Sequence, residues 1–446
     1  AGVGKHLYDI LIRNGMIIDG SGNPWFRCDV GVEKGKIVAL DNLASDSADT
    51  TIDAKNMVVC PGFIDMHSHS DFTLLINPLA ESKIRQGVTT EVVGNCGTSG
   101  APLNNLLKED MLKTMPILSE AKLELSWSSL SQYAKLMEKK GVALNVAPLV
   151  GNSNIRVFVL GFENRRPSEE ELKEMKRILA QALKAGAFGL SSGLIYPPSC
   201  YADTNELVEL AKVVAQFGGI YTSHIRGEGI TLITAVNEAI EIGRRARVPV
   251  EISHHKASGK ANWGKIKQTL RMMERAREEG VDVTCDVYPY TAGSTGLDAL
   301  LPPTVYEGGV EKLIERLRDP KTRRQIKKEM MRTSEEGGSK SLGMLEWDNI
   351  RISYCKGHPE LEGRNIEEIT REKGVDPYEF VFDLLIEEKA SVGIVLFTMR
   401  EEDMHYVLRH HLSMVGSDSS TQAPYGVLRK GKPHPRTYGT FPRILG

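Results

Sequence analysis

Eight short apolar runs, spaced by stretches of helical period, constrain this chain more than any other feature of its sequence. The runs are Val58 to Asp65, Thr89 to Gly94, Ala143 to Val150, Ala187 to Ser192, Ile220 to His224, Val248 to His254, Val281 to Tyr288 and Met414 to Asp418. Between them lie amphipathic segments such as Glu169 to Lys184, Thr204 to Phe217, Thr231 to Arg247 and Ile266 to Glu279. Strand then helix, repeated eight times, predicts an α/β fold of the parallel (β/α)8 or TIM-barrel type. Runs apolar on both faces are what a sheet covered by helices requires. A length of 446 residues accommodates one such barrel with insertions.

The segment before the first run reads differently. Tyr8 to Arg13 alternates, Asn14-Gly15 signals a turn, and Met16 to Asp19 resumes before a loop at Gly20 to Asn23. Asp29 to Glu33 and Lys36 to Leu40, joined at Lys34-Gly35, predict a hairpin. A small β-domain is expected over residues 1–58, and the barrel over 59–446. About 125 residues separate the seventh and eighth runs, too many for a structureless loop in a compact domain. They are charged and helical over Val310 to Thr333 and Pro377 to Glu388, with strand-like pieces near Arg351 and Val392. An inserted subdomain over about 295–400 is expected, leaving the C-terminal face of the barrel where it could lid a site.

Composition narrows the function classes. A formal net charge of −2 gives no electrostatic case for nucleic acid or a membrane surface. No apolar run reaches the length of a bilayer-spanning helix. The start, AGVGKHLYDI, shows no secretory signal. The six cysteines (Cys28, Cys60, Cys96, Cys200, Cys285, Cys355) are scattered and form no CxxC pair. That pattern predicts a reduced, cytoplasmic protein. Most of them read as small buried hydrophobes; Cys96 is the exception.

In such barrels chemistry sits at the C-terminal ends of the strands. The first run ends in Asp65-Met66-His67-Ser68-His69, the second in Gly94-Asn95-Cys96-Gly97 and the fifth in Thr222-Ser223-His224. The sixth ends in Ser253-His254-His255-Lys256 and the eighth in Gly416-Ser417-Asp418. His67 and His69 are two apart on a strand, so both rings point to one side. Imidazole and thiolate from several strand ends form a donor set for zinc, and a thiolate can bridge two ions. His254 and His255 cannot both face the barrel axis, and alternation does not choose between them. His6, His358, His405, His410 and His411 lie in surface-like contexts. Asp418 is the candidate general base. Its alternative role, capping a following helix, is outweighed by its place at the last strand end.

Taken together, these residues resemble the amidohydrolase superfamily and, within it, the N-acyl-D-amino-acid deacylases (D-aminoacylases). Pro61 to His69 is similar to the superfamily's first-strand signature. The narrower resemblance rests on Gly94 to Gly97, Gly189 to Pro198, Ser223 to Arg226, Ile252 to Lys256, Asp286 to Tyr290, Gly416 to Asp418 and His434 to Arg436. It covers nearly the whole chain. The resemblance implies a barrel with a small flanking β-sandwich, and a metal-ligating cysteine, here Cys96, where many relatives use a carboxylated lysine. It implies that Cys96, His224 and His254 hold a tighter zinc, while His67 and His69 line a second, weaker site. Asp418 matches the family's catalytic aspartate. Lys256, Tyr288, Ser294 and Arg436 fall where the family binds the substrate carboxylate and nearby groups.

The implied reaction is zinc-dependent hydrolysis of N-acyl-D-amino acids to a carboxylate and a D-amino acid. Zinc would polarise the amide carbonyl and acidify the attacking water, and a bidentate guanidinium suits the substrate carboxylate. The family's chain continues past the segment matching Phe441 to Gly446. The C-terminal part of the β-sandwich is therefore expected to be missing, leaving exposed edges and apolar surface. Alternatives are a cyclic-amide hydrolase of the dihydropyrimidinase or hydantoinase type, a deaminase, or a non-catalytic scaffold. Cys96 and the His434-Pro435-Arg436 run argue against the first two, and the complete ligand set against the third.

Overall fold

The computed structural model describes residues 7–335 and 346–446, so His6 lies outside the described residues. The chain divides into two compact units, one ending at Phe63 and one spanning Ile64–Gly446.

The first unit is a five-stranded sheet. It contains β1 (Leu7–Ile17), β2 (Phe26–Glu33), β3 (Lys36–Asp41), β4 (Ser47–Asp53) and β5 (Val58–Val59), ordered β3-β2-β1-β4 with β5 also on β1. Tyr8, Leu11 and Leu43 form its small core, while Ile37, Val38, Leu40 and Ile52 are exposed. The β2–β3 hairpin turns at Lys34 and Gly35, both at positive φ (50° and 72°), as a two-residue hairpin of right-handed twist demands. The turn expected at Asn14-Gly15 does not occur. β1 runs straight through, and the register shifts between Ile12 and Gly15. Asn14, at φ 62°, takes up the extra residue as a bulge rather than a reversal.

In the second unit, each of the eight apolar runs contributes a strand. They are β6 (Phe63–Asp65), β7 (Val88–Val93), β8 (Asn145–Gly151), β9 (Gly189–Gly193), β10 (Ile220–His224), β11 (Val250–Ile252), β12 (Val283–Val287) and, after the insertion, a last strand at Ser413–Val415. They pair in that order in one parallel sheet. The ends meet. Met66 N donates to Val415 O at 3.1 Å and Asp418 N to His67 O at 2.8 Å, with a parallel bridge between Ser68 and Ser419.

The covering helices follow from their apolar stripes and caps. Helix Glu169–Lys184 starts at a Ser168/Glu171 capping box and buries Met175, Leu179, Ala182 and Leu183 in the main core. The insertion carries its own sheet, β13 (Gly293–Gly296), β14 (Ile350–Cys355) and β15 (Val392–Leu396), antiparallel and ordered β13-β15-β14. A separate apolar cluster including Leu297, Leu313, Ile352 and Phe382 lies beneath it. The helical stretch expected over Val310 to Thr333 is two helices, Val310–Arg318 and Pro320–Glu335. The break falls at Asp319 (ψ 116°), because a residue before proline is driven out of the helical region. The last barrel strand, Ser413–Val415, is β16.

Lys83 organises the seam where the barrel closes. Its side chain is fully buried. Nζ donates to Asp65 Oδ2 at 2.8 Å, to Ser417 Oγ at 2.7 Å and to Ser419 O at 3.0 Å, and pairs with Glu91 Oε1 at 2.9 Å. Burial opposes its charge, but Asp65 and Glu91 outweigh burial and raise its pKa. Replacing Lys83 by Met should therefore leave buried carboxylates without a counter-ion and cost about 3–5 kcal/mol. Urea denaturation would show a clearly lower midpoint, whereas exposed Lys173→Ala should shift it little. An unchanged midpoint for Lys83→Met would remove Lys83 from this role.

Candidate active site

At the C-terminal end of the barrel, three imidazoles converge on one thiol. Cys96 Sγ lies 3.3 Å from His67 Nε2, 3.5 Å from His254 Nε2 and 3.7 Å from His224 Nδ1. His69 Nε2 contacts Asp418 Oδ1 at 3.0 Å, and His67 Nε2 lies 3.6 Å from the same oxygen. One ligand atom from each of His67, Cys96, His254 and Asp418 falls within 4.8 Å of the others. His224, Glu228 and His254 form a second such group.

The local backbone makes this convergence possible. Cys96 (φ 51°), His254 (φ 38°) and Asp418 (φ 49°) all take the left-handed conformation where their strands end, which is uncommon for non-glycine residues. A side-chain carbon at Gly193 would stand 2.1 Å from the Cys96 carbonyl oxygen, so glycine there lets the cysteine loop pack against β9. Buried Asp71 accepts from Gly94 N at 3.1 Å and Gly100 N at 2.8 Å, pinning that loop at both sides. His254 faces the thiol. His255 turns away, with Nε2 2.8 Å from Thr269 Oγ1, and burial pushes its pKa down to about 4.

Electrostatics suit a metal. Burial alone would push the Cys96 thiol up, but the neighbouring charges of His67 and His254 bring it well below its ordinary value, to a thiolate. His224 Nε2 is buried with no hydrogen-bond partner among the described residues. A thiolate, converging imidazoles and an orphaned ring nitrogen fit the donor set that zinc takes.

The remaining expected residues gather around this cluster. Cys96, His69, His224, His254, Lys256, Tyr288, Ser294, Asp418 and Arg436 line one cavity of about 350 Å³, with His67 buried beside it. A second cavity, of about 390 Å³, shares His69, Ser294, Asp418 and Arg436. Arg436 Nη1 pairs with Asp418 Oδ2 at 2.7 Å, while its Nε has no partner among the described residues. Its guanidinium stands 4.7 Å over the Tyr288 ring, and the Tyr288 hydroxyl is also unpartnered among those residues. Ser294 Oγ donates to Ile394 O at 2.9 Å. Lys256 Nζ donates to Glu228 Oε1 at 2.5 Å and lies 2.7 Å from His254 Nδ1. Tyr290 lies outside the cavity, edge-on to His434.

Several neighbours carried no expectation. Asp286 Oδ2 lies 3.0 Å from His67 Nδ1, and Glu228 Oε1 lies 3.0 Å from His254 Nδ1. Carboxylates in such places orient ligating imidazoles. Tyr196 joins the wall, its hydroxyl 3.0 Å from Thr295 Oγ1 and its ring edge-on to His224. His434, whose pKa burial pushes to about 3, accepts from Arg436 N at 3.0 Å, and its Nε2 lies 3.0 Å from Ala292 O. The neutral ring thus seats the arginine. Signals existed for each: Glu228 follows His224 by four residues, Asp286 opens a motif already singled out, and Tyr196 and His434 lie within two others.

This barrel and its thiol-imidazole-aspartate site define a metal-dependent hydrolase class, and comparison agrees. The amidohydrolase family profile matches residues 50–410, and the chain belongs to that family. It is 36% identical over 438 residues to N-acyl-D-glutamate deacylase of Alcaligenes xylosoxydans xylosoxydans, covering 98% of this chain and 78% of the relative. D-aminoacylase of the same organism is 34% identical over 439 residues, with the same coverage of 98% and 78%. The crystal structure of N-acyl-D-glutamate deacylase from Bordetella bronchiseptica, complexed with zinc and a phosphonate mimic of the tetrahedral intermediate, superposes with a TM-score of 0.80. It shares 33% identity and covers 99% of this chain and 81% of that one.

Loss of the hub thiol should be felt in the metal itself. Cys96→Ala should lower zinc affinity by more than the roughly 10–100-fold typical of losing an outer partner. Buried Cys285→Ala, whose sulfur faces Leu412 O, should leave it unchanged. Zinc content after dialysis against a chelator, equal in all three proteins, would contradict the assignment.

Proposed function

We propose that this chain hydrolyses the amide bond of N-acyl-D-amino acids, releasing a carboxylate and a D-amino acid, in a zinc-dependent reaction. One observation carries the reading. A thiol-imidazole cluster, a buried aspartate and an arginine whose Nε has no partner among the described residues line a single cavity of about 350 Å³. The relatives, an N-acyl-D-glutamate deacylase and a D-aminoacylase, support it.

Cys96, His224 and His254 would hold the tighter zinc, and His67 and His69 a second. The Cys96 thiolate lies within reach of both sets. When bound, zinc supplies polarisation of the scissile carbonyl and a lowered pKa for the attacking water. Asp418 takes the proton of that water and passes it to the leaving amine. Burial would push its carboxyl up, but Arg436 above all, with His254, holds it well below the usual carboxylate range, so it starts as a base. Arg436 offers its Nε edge to the substrate carboxylate, the Tyr288 hydroxyl completes the contact, and Ser294 shapes the adjoining wall. Lys256, already bonded to Glu228, adds positive charge beneath Tyr288. A carboxylate anchored at one end and an acyl carbonyl at the other fix two substituents of the stereocentre. The third then distinguishes D from L.

The insertion serves this site as a wall or lid over about 295–400, with Thr295 and Leu396 lining the cavity. The barrel domain is read as 59–446 and the β-domain as 1–58. A cytoplasmic setting fits six unpaired cysteines, and no helix among the described residues is long and apolar enough to cross a membrane.

Hydrolysis of N-acetyl-D-methionine and its L-enantiomer, on protein of measured zinc content, tests the proposal. The D-form should be preferred by at least about 100-fold in kcat/KM, or roughly 2.7 kcal/mol. Zinc-loaded protein that cleaves neither enantiomer would refute the substrate assignment. Asp418→Asn should retain zinc yet lower kcat by about 10²–10⁴-fold. Near-normal turnover in that variant would exclude Asp418 as the base.

A further inference from the structure

The second cavity, of about 390 Å³, has no task in the proposed reaction, although it is larger than the cavity of about 350 Å³ that holds the thiol-imidazole cluster. The two meet at four residues, His69, Ser294, Asp418 and Arg436. Three segments far apart in sequence build much of the remaining wall. Met115, Pro116 and Ile117 come from the start of helix Pro116–Glu120, Tyr354 from β14, and Leu428 and Pro433 from the chain after β16. Met115 and Ile117 are only half-buried, packed on the main core while they line the cavity.

A polar latch ties these segments together. Lys430, also in the wall, pairs with Glu120 and stands 5.4 Å over the Tyr354 ring, with Nζ 3.4 Å from the Tyr354 hydroxyl. Glu120 also meets Lys356 Nζ at 2.9 Å. The Lys430 charge is thus already met, and the wall offers an occupant mainly apolar surface. A concave, mostly apolar space of several hundred Å³ next to convergent polar groups is where part of a small ligand binds.

An N-acyl amino acid has four portions to place. Its carbonyl belongs with Cys96, His224 and His254, and its carboxylate with Tyr288 and Lys256 beside Arg436. Of these residues only Arg436 reaches the second cavity. The side chain leaves the carbon that bears the carboxylate, so it stays with the first cavity. The acyl chain leaves the carbonyl carbon, on the other side of the scissile bond. Asp418 and His69 stand where the cavities meet, and beyond them lies the second cavity.

We infer that the second cavity is the acyl subsite, that it takes unbranched aliphatic acyl chains longer than acetyl, and that Met115 and Ile117 set their length. This assignment rests on the reading of the chain as an N-acyl-D-amino-acid deacylase, and goes beyond it in naming the acyl class.

Two substrate series test it, acetyl to hexanoyl on D-methionine, and D-alanine to D-norleucine at fixed acetyl. Across the acyl series kcat/KM should rise about fourfold for each methylene buried. Ile117→Trp fills the space, and should lower the hexanoyl-to-acetyl ratio about tenfold or more while the norleucine-to-alanine ratio stays within about twofold of the parent. Gln422→Trp is the second variant. Gln422 also lines the second cavity, and is held through its backbone, with its N donating to Ser82 Oγ at 2.9 Å. It should act in the same direction, and decides alone if Ile117→Trp does not fold. A flat acyl series on substrates that are turned over would overturn the subsite and leave the deacylase reading standing. A rising series that neither variant flattens would also overturn it, as would variants that flatten the side-chain series instead. If no acyl-D-amino acid is cleaved, the deacylase reading fails, and binding of hexanoate against acetate to zinc-loaded protein decides the subsite by calorimetry. Tighter hexanoate binding that the variants abolish supports an aliphatic subsite, and equal binding of the two overturns it.

Discussion

The buried ammonium of Lys83 joins the first strand of the barrel to the loop after the last. It reaches Asp65 at the end of β6, Glu91 in β7, and Ser417 and Ser419 beyond β16. A parallel barrel must pair its first and last strands across the longest sequence separation in the fold, and loop-closure entropy opposes that pairing. Here few backbone hydrogen bonds bridge the two strands. Charge-assisted bonds in a dry interior compensate, because there they are strong and leave no cheap alternative. His67 and His69 follow Asp65 by two and four residues, and Asp418 lies between Ser417 and Ser419. The seam that closes the barrel thus also sets where two imidazoles and the aspartate meet.

Building the site at strand ends carries a conformational cost. Cys96, His254 and Asp418 occupy the left-handed region, which costs of order 1–3 kcal/mol for each residue so held. Each is over-determined by its surroundings. The cysteine loop is held by Asp71 and by close approach over Gly193. His254 is held between Glu228 and Lys256, and Asp418 between His69 and Arg436. For His254 and Asp418 these contacts act on side chains, so there the groups that hold the strained backbone also belong to the candidate site, while the Cys96 loop is held through its backbone.

The barrel was legible because burial on both faces leaves an unambiguous apolar run, and all eight runs became strands within a few residues of their expected ends. The insertion was legible only in outline. β13, Gly293-Ser294-Thr295-Gly296, has no apolar alternation and is a strand only because β15 pairs with it. The choice between His254 and His255 was closed to alternation for a definite reason. His254 leaves the extended region at φ 38°, and period-two reasoning fails at that residue. The partners of Asp286 and Glu251 could not be read, since an acid in an apolar run says only that something must satisfy it. Which residue does so depends on register between strands and loops far apart in sequence.

The ionisable residues of the barrel interior fall into two groups of opposite logic. On the seam side, Lys83 carries a true charge compensated by Asp65 and Glu91. On the side of β11 and β12, no ion pair of Glu251 or Asp286 with lysine or arginine occurs among the described residues, and Asp286 meets one imidazole, that of His67. A full cation directly against His67 would add positive charge facing any divalent ion held at the cluster, and where Lys256 does meet His254 its charge is offset by Glu228. Both imidazoles are backed by a carboxylate, His67 by Asp286 and His254 by Glu228, which suits a cluster that is to receive a cation, while the seam, away from that cluster, carries its own buried lysine.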